Sequence, residues 1–138
     1  MNNMQGYDDE KTISFYDEEE MKDEPVVGWI VILSGMDKGR SFSLHMGVNV
    51  IGSASDADVL IKRDMNIRDK HAIVAYDPYA REFILSKAEE KVALFYNGQD
   101  IVGSCVIQDR QAFVAADTEM MLVSFCNKEF DWSNSLNQ

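Results

Sequence analysis

Between Val26 and Phe125 this 138-residue chain shows no helical period of useful length, only short runs of β-branched and aromatic residues, each closed by turn chemistry. Runs of that kind recurring at roughly 8–12-residue spacing are the mark of a β-sandwich. The first run, Val26–Leu33, is dense in Val and Ile around Trp29 and reads as a strand buried on both faces or near a sandwich centre. Ser34–Gly39 is a turn, Ser41–Leu44 alternates polar and apolar, and Val48–Gly52 is a strand. Asp56–Asp58 is a turn, Val59–Ile61 a short strand, and the basic stretch Lys62–Lys70 a loop. Ala72–Tyr76 and Glu82–Leu85 flank a turn with Pro78 at its second position. Val92–Tyr96 leads into Asn97-Gly98, the strongest hairpin signal in the chain. Ile101–Val102 continues that hairpin, and Gln111–Ala115 pairs with Glu119–Phe125 across Asp117-Thr118. About ten short strands give an all-β sandwich.

Charge divides the chain unevenly. Residues 1–25 hold nine acids and two lysines, a net −7 out of −11 for the whole chain. They are poor in aliphatic residues and closed by Pro25, so they cannot bury enough to offset the entropy of ordering, and a flexible acidic tail is expected. The organisation is then a tail over 1–25, a sandwich domain over 26–126 and an extension over 127–138, where Phe130 and Trp132 could cap the sandwich edge. Hydrophobic residues make up 46% of the chain, ample for one core. The acidic balance argues against nucleic acid, which requires a basic footprint. No apolar run approaches the roughly 20 residues of a membrane span. The N-terminus has neither a basic start nor an apolar h-region, so a cytoplasmic protein is expected.

Catalytic and metal chemistry find little support. Cys105 and Cys126 are too few and too far apart for a disulfide framework or a zinc site, and buried reduced thiols are expected. His45 and His71 lack partners at ligand spacing, so neither metal nor cofactor is implied. There is no nucleophile–base arrangement, P-loop or dinucleotide glycine pattern, and Asp56 and Asp58 lie in a turn. The chain is expected to be non-catalytic.

Four stretches carry a resemblance: GWIVILSGMDKGRSFSL from Gly28, NVIGSASDADVLI from Asn49, IRDKHAIVAYD from Ile67 and FYNGQDI from Phe95. In order and spacing they resemble the blocks of a bacterial forkhead-associated (FHA) domain, a module that docks phosphothreonine peptides, over roughly Val26 to Phe125. The resemblance implies a β-sandwich of about eleven strands that binds ligand through loops at one end, a placement that suits a rigid scaffold. In that family an Arg directly after the Ile-Gly pair contacts the peptide. Here Ser53 follows Ile51-Gly52, and a serine supplies no planar guanidinium fork. A Ser three or four residues before the family's His bonds the phosphate; counting back from His71, those places hold Arg68 and Ile67. An Asn that clamps the peptide backbone should precede the hairpin by about five residues, where Val92 stands, and no Asn lies between Asp77 and Asn97. What the resemblance retains is structural: Gly52 for a close backbone approach, His71 to brace the binding loops from behind, and Asn97-Gly98 for a tight hairpin.

Two readings of the site stay open. In one, peptide binding is weakened or independent of phosphate. In the other, an anion site is rebuilt around Arg68, with Arg63, Lys70 and the hydroxyls of Ser53 and Ser55 nearby. Against the second, the four bases and two acids of Lys62–Lys70 are expected to pair within their own loop. Thr12 lies in an acidic context that resembles the phosphorylated tails of bacterial FHA proteins. Phosphorylation there would add nearly two negative charges, and the tail could fold back as a tethered ligand; the alternative is a solubilising leader. The expected function is a non-catalytic protein–protein interaction module of FHA type in Ser/Thr kinase signalling. Its partner is a protein or a phosphothreonine peptide, the chain's own tail included. A sheet edge that pairs with a partner strand is a further possibility.

Overall fold

The computed structural model describes residues 24–135, so the acidic stretch with Thr12 lies outside the described residues. Eleven strands follow one another: β1 (Val26–Ile32), β2 (Ser41–His45), β3 (Gly47–Gly52), β4 (Val59–Leu60), β5 (Ala72–Asp77), β6 (Glu82–Lys87), β7 (Leu94–Tyr96), β8 (Gln99–Asp100), β9 (Ser104–Ile107), β10 (Ala112–Ala115) and β11 (Thr118–Ser124), before a short helical turn α1 (Trp132–Ser135). They form two sheets, a five-stranded one ordered β9-β6-β5-β3-β4 and a six-stranded one ordered β2-β1-β11-β10-β7-β8. Neighbours are antiparallel throughout except β3 and β4, where Ile51 and Gly52 run parallel to Val59 and Leu60.

The period-two patterns decide which side chains meet between the sheets. Ile30, Ile32, Leu44, Leu94, Phe113, Met120 and Leu122 from one sheet face Ile51, Ala72, Val74, Leu85 and Ile107 from the other, all buried. Each large aliphatic or aromatic side chain sealed in this way contributes roughly 1.5–3 kcal/mol. The first strand departs from the expectation of burial on both faces. Val27, Ile30 and Ile32 are buried, whereas Trp29 and Val31, on the outward side of the six-stranded sheet, are only half-buried. A second departure falls after the hairpin. Ile101 is buried, but Ile101–Val102 form no strand; Gly103 turns the chain at φ +73° and the strand begins at Ser104.

Residues beyond β11 join the folded body. Phe125 packs against Trp29 (ring centroids 5.9 Å apart), Phe130 (5.3 Å) and Trp132 (5.5 Å), and the Trp132 indole donates to the Val26 carbonyl at 2.8 Å. Asp131 is buried and pairs with Arg81 Nε at 3.2 Å. The Tyr76 hydroxyl also reaches Asp131, at 3.4 Å. Burial, and then the Asp131 carboxylate, push the Tyr76 phenol up to about 12. Both cysteines are free; Cys126 is buried and Cys105 half-buried, and burial pushes both thiols up.

Candidate functional site

Three connections meet at one end of the sandwich: Ser53–Asp58 after β3, Lys62–Lys70 after β4, and Ala88–Ala93 after β6. Gly52 starts the convergence. A Cβ built there would stand 1.9 Å from the Asp69 carbonyl oxygen and 3.0 Å from that of Arg68, so only glycine lets the two segments touch. The contact is then secured by backbone bonds, Ser53 N–H to the Arg68 carbonyl at 3.0 Å and Ala54 N–H to that of Asp69 at 3.3 Å.

His71 sits behind this contact with 1% of its surface exposed. Its Nδ1 accepts from the Arg68 amide at 3.1 Å, which leaves the proton on Nε2, and Nε2–H donates to the Ala93 carbonyl at 2.9 Å. One imidazole thus bridges two of the three loops. Its own amide donates to Ile51 at 2.8 Å, tying the bridge to β3.

The Lys62–Lys70 loop is fixed from the other side by Asp64. One carboxylate oxygen accepts from the Asp117 amide (2.8 Å), in the turn between β10 and β11, and from the hydroxyl of Thr118 (2.7 Å), the first residue of β11; the other accepts from the Asn66 amide (2.9 Å). Asn66 Nδ2 adds a bond to the Asp117 carboxylate at 2.7 Å, and Ile67 is buried in the core. A loop held by a core side chain and four such bonds is already in one shape before anything binds it.

Two of the side chains that face solvent here are committed as well. The Ser53 hydroxyl donates to the Asp69 carboxylate at 3.2 Å. Arg68, more than half exposed, lies 3.9 Å from Glu89 on the Ala88–Ala93 loop. The expectation that the basic loop pairs within itself is therefore corrected: Asp64 and Asp69 serve hydroxyl and amide donors, and the Arg68 partner comes from a different loop. Ser55, Arg63 and Lys70 are exposed, and among the described residues Arg63 and Lys70 make no ion pair. Val92 is buried and cannot present a polar group to a ligand. Asn97 and Gly98, with φ of 57° and 74°, turn β7 into β8 at the far end of β7 from Ala93 and stand apart from the three loops. The roles of Asp64, Asp69 and Glu89 escaped sequence reasoning, because each acts on a loop distant in the chain. At the opposite end, a groove of about 310 Å³ beside Phe83, Val106 and Ile107 is rimmed by Arg81 and Lys128, which pair with Asp131 and Glu82.

An eleven-stranded sandwich with three converging end loops has the fold of an FHA domain, and solved structures share it. The FHA domain of the CT664 protein from Chlamydia trachomatis superposes with a TM-score of 0.63 at 22% identity, over 72% of this chain and 98% of that one. The cytoplasmic domain of the T3SS sorting platform protein PscD from P. aeruginosa gives 0.59 at 21%, over 76% and 83%. Mycobacterium tuberculosis EmbR, in complex with a low affinity phosphopeptide, gives 0.61 at 16%, over 72% and 24%. No curated protein matches the sequence. The family model that matches, over residues 31–125, is the Yop-YscD cytoplasmic domain, described as the inner membrane component of T3SS, cytoplasmic domain, and the chain belongs to this family. No helix among the described residues is long and apolar enough to cross a membrane.

Proposed function

We propose that this chain is a non-catalytic, cytoplasmic protein–protein interaction module of FHA type whose loop end engages a protein partner without depending on phosphate. One observation carries this reading: the Ser53 hydroxyl and the Arg68 guanidinium, the groups a phosphate would call on, already face carboxylates. Asp69 occupies the hydroxyl of Ser53, and Glu89 faces the guanidinium of Arg68. A phosphate with nearly two negative charges would have to displace Asp69 from Ser53 and Glu89 from Arg68 to use either group, against like-charge repulsion, and would be left with Arg63 and Lys70. The buried Val92 offers no amide to clamp a peptide backbone. The pre-shaped loops still suit protein recognition, which gains from rigid surfaces. Membership of a family described as a T3SS component, and similarity to a sorting platform protein, favour a partner within an assembly. A place in Ser/Thr kinase signalling rests on the FHA fold alone.

The test is a titration of the full chain with degenerate threonine peptides and with the segment around Thr12, each phosphorylated and unphosphorylated, read by fluorescence anisotropy. The expected result is no phosphate preference beyond about 3-fold, less than 1 kcal/mol. Micromolar binding that requires phosphate and disappears in Arg68→Ala would replace this reading with a phosphothreonine reader built around Arg68, Arg63 and Lys70, for which phosphorylated Thr12 is the first ligand to try.

A further inference from the structure

A sheet with one solvated face alternates apolar-in with polar-out. The five-stranded sheet breaks that rule on its outward side. Val48 stands opposite Ala75, Ala75 opposite Ile84, and Ile84 opposite Val106, so one unbroken apolar row crosses β3, β5, β6 and β9. Cross-strand partners share a face, and the alternate positions of these strands are the buried ones, so all four side chains point away from the core. The next row, toward the three-loop end, sets Val50 opposite Ile73 before it turns polar at Ser86 and Ser104. Val48 is 64% exposed and Val106 40%, and Ala75 and Ile84 between them are half-buried. Val106 also lines the groove of about 310 Å³ beside Phe83 and Ile107, so the row opens there into a concavity. The outward face of the other sheet is interrupted instead: Trp29 packs edge-on against Phe125, and Glu119 and Asp100 flank Val114 and Phe95.

We propose that this face docks one amphipathic helix of a partner protein, with basic residues along one flank of the helix. Contiguous apolar surface of this kind marks an interaction site, and its size selects the occupant. Four strands about 4.8 Å apart, carrying two rows about 7 Å apart, give a patch roughly 20 by 10 Å, a plan area of about 200 Å². A helix of about three turns, roughly 10 Å across and 16 Å long, has that footprint. A second copy is a poorer fit, because each partner of a stable dimer buries about 800 Å². Charge points the same way, since both copies would bring a net −11 to the contact. Beyond the row, on the side away from the loops, the border is acidic: Asp77 and Glu82 stand opposite each other on the same face. Lys128 takes up Glu82 at 3.6 Å. Asp77 accepts the Tyr79 and Ala80 amides and makes no ion pair among the described residues. A basic flank complements this border, while the apolar stripe of the helix covers the row and one large side chain enters the groove. The face lies on the side of the sandwich, so this docking is independent of what the three loops bind.

Methyl NMR of the full chain tests it. The probe is a hydrocarbon-stapled helical peptide of about 14 residues, with leucines on one face and lysines along its flank. One control has the same residues in scrambled order, and a second has the lysines replaced by glutamates. The methyl signals of Val48, Ala75, Ile84 and Val106 should shift together, with a Kd at least ~10-fold lower than for the scrambled peptide. The glutamate peptide should bind at least ~3-fold more weakly at low salt. The double variant Val48→Ser/Val106→Ser changes only exposed positions, so it should keep the fold and lose at least ~10-fold in affinity. Equal binding of either control peptide, shifts confined to other methyls, or unchanged affinity in the variant would overturn the proposal. So would nuclear Overhauser contacts from Ile84 to residues 1–23, by giving the face to the chain's own N-terminal segment. Methyl shifts that grow with protein concentration alongside a dimer mass in light scattering would also overturn it, by giving the face to a second copy.

Discussion

Replacing Gly52 by alanine puts one methyl group where the chain leaves no room. The new Cβ would lie 1.9 Å from the Asp69 carbonyl oxygen and 2.6 Å from its carbon, both backbone atoms that cannot rotate aside. The Arg68–Asp69 segment would have to retreat by about 1.5 Å to reach ordinary contact. That retreat breaks the Ser53 and Ala54 amide bonds at 3.0 and 3.3 Å and the Ser53 hydroxyl bond at 3.2 Å. It also pulls Arg68 N–H from His71. The two backbone amide bonds alone, at about 1 kcal/mol each, with about 1–3 kcal/mol of overpacking strain, give a destabilisation of at least about 3–5 kcal/mol. A domain of this size has about 5–15 kcal/mol in all. Gly47→Ala is the control: Gly47 has φ +87° but nothing within 4 Å, so only a backbone cost of about 1–2 kcal/mol applies. Urea unfolding of the full chain, followed by Trp29 and Trp132 fluorescence, measures both. If Gly52→Ala lost no more than Gly47→Ala, the close approach would not be what joins the loops.

Other expectations follow from the same contacts. Asp64→Ala removes the acceptor shared by Asp117, Thr118 and Asn66; it should cost about 2–3 kcal/mol in urea unfolding and speed amide exchange across Lys62–Lys70. Asp131→Ala removes the buried carboxylate that Arg81 and Tyr76 reach and should lower stability by about 3 kcal/mol, with Asp131→Asn milder because it keeps an acceptor for Tyr76. Tyr76 holds its proton to about 12, whereas the unfolded chain gives it up near 10. Stability should therefore fall as pH rises from about 10 to about 12, and absorbance of the phenolate at alkaline pH should show Tyr76 and Tyr96, both pushed up by burial, ionising later than a free tyrosine. Cys126, buried and with its thiol pushed up, should react with a thiol reagent at mildly alkaline pH only as fast as the protein opens.

Much of this architecture can be read in the chain, and the misses have physical causes. Strands with clear alternation, such as Ala72–Asp77 and Ala112–Ala115, announce themselves because one face is buried and the other is not. Asn97-Gly98 is legible because the dipeptide tolerates positive φ at both places. Ile101–Val102 misleads, since Ile101 is apolar for burial alone while Gly103 breaks the chain before β9. The loop end is legible in its backbone and illegible in its side chains. Gly52 and His71 occupy local motifs, but the bond from Asp64 to Asp117 spans 53 positions and Arg68 finds Glu89 across two loops, pairings on which no local pattern bears. For the same reason the extension after Phe125 shows aromatic residues in sequence, while their packing on Trp29 depends on the sheet being present.

The bond between the Trp132 indole and the Val26 carbonyl brings the two ends of the folded body side by side. The domain is in effect a ring with a small gap. A short Gly/Ser linker from Ser135 to Glu24 closes that gap, and a new opening at Asn97-Gly98, both exposed, sacrifices only the β7–β8 pairing of Phe95 with Asp100 and Tyr96 with Gln99. Such a circular permutant keeps the three-loop end untouched and moves the fusion points to the hairpin tip, so the domain can be inserted within another protein with its loops still presented outward.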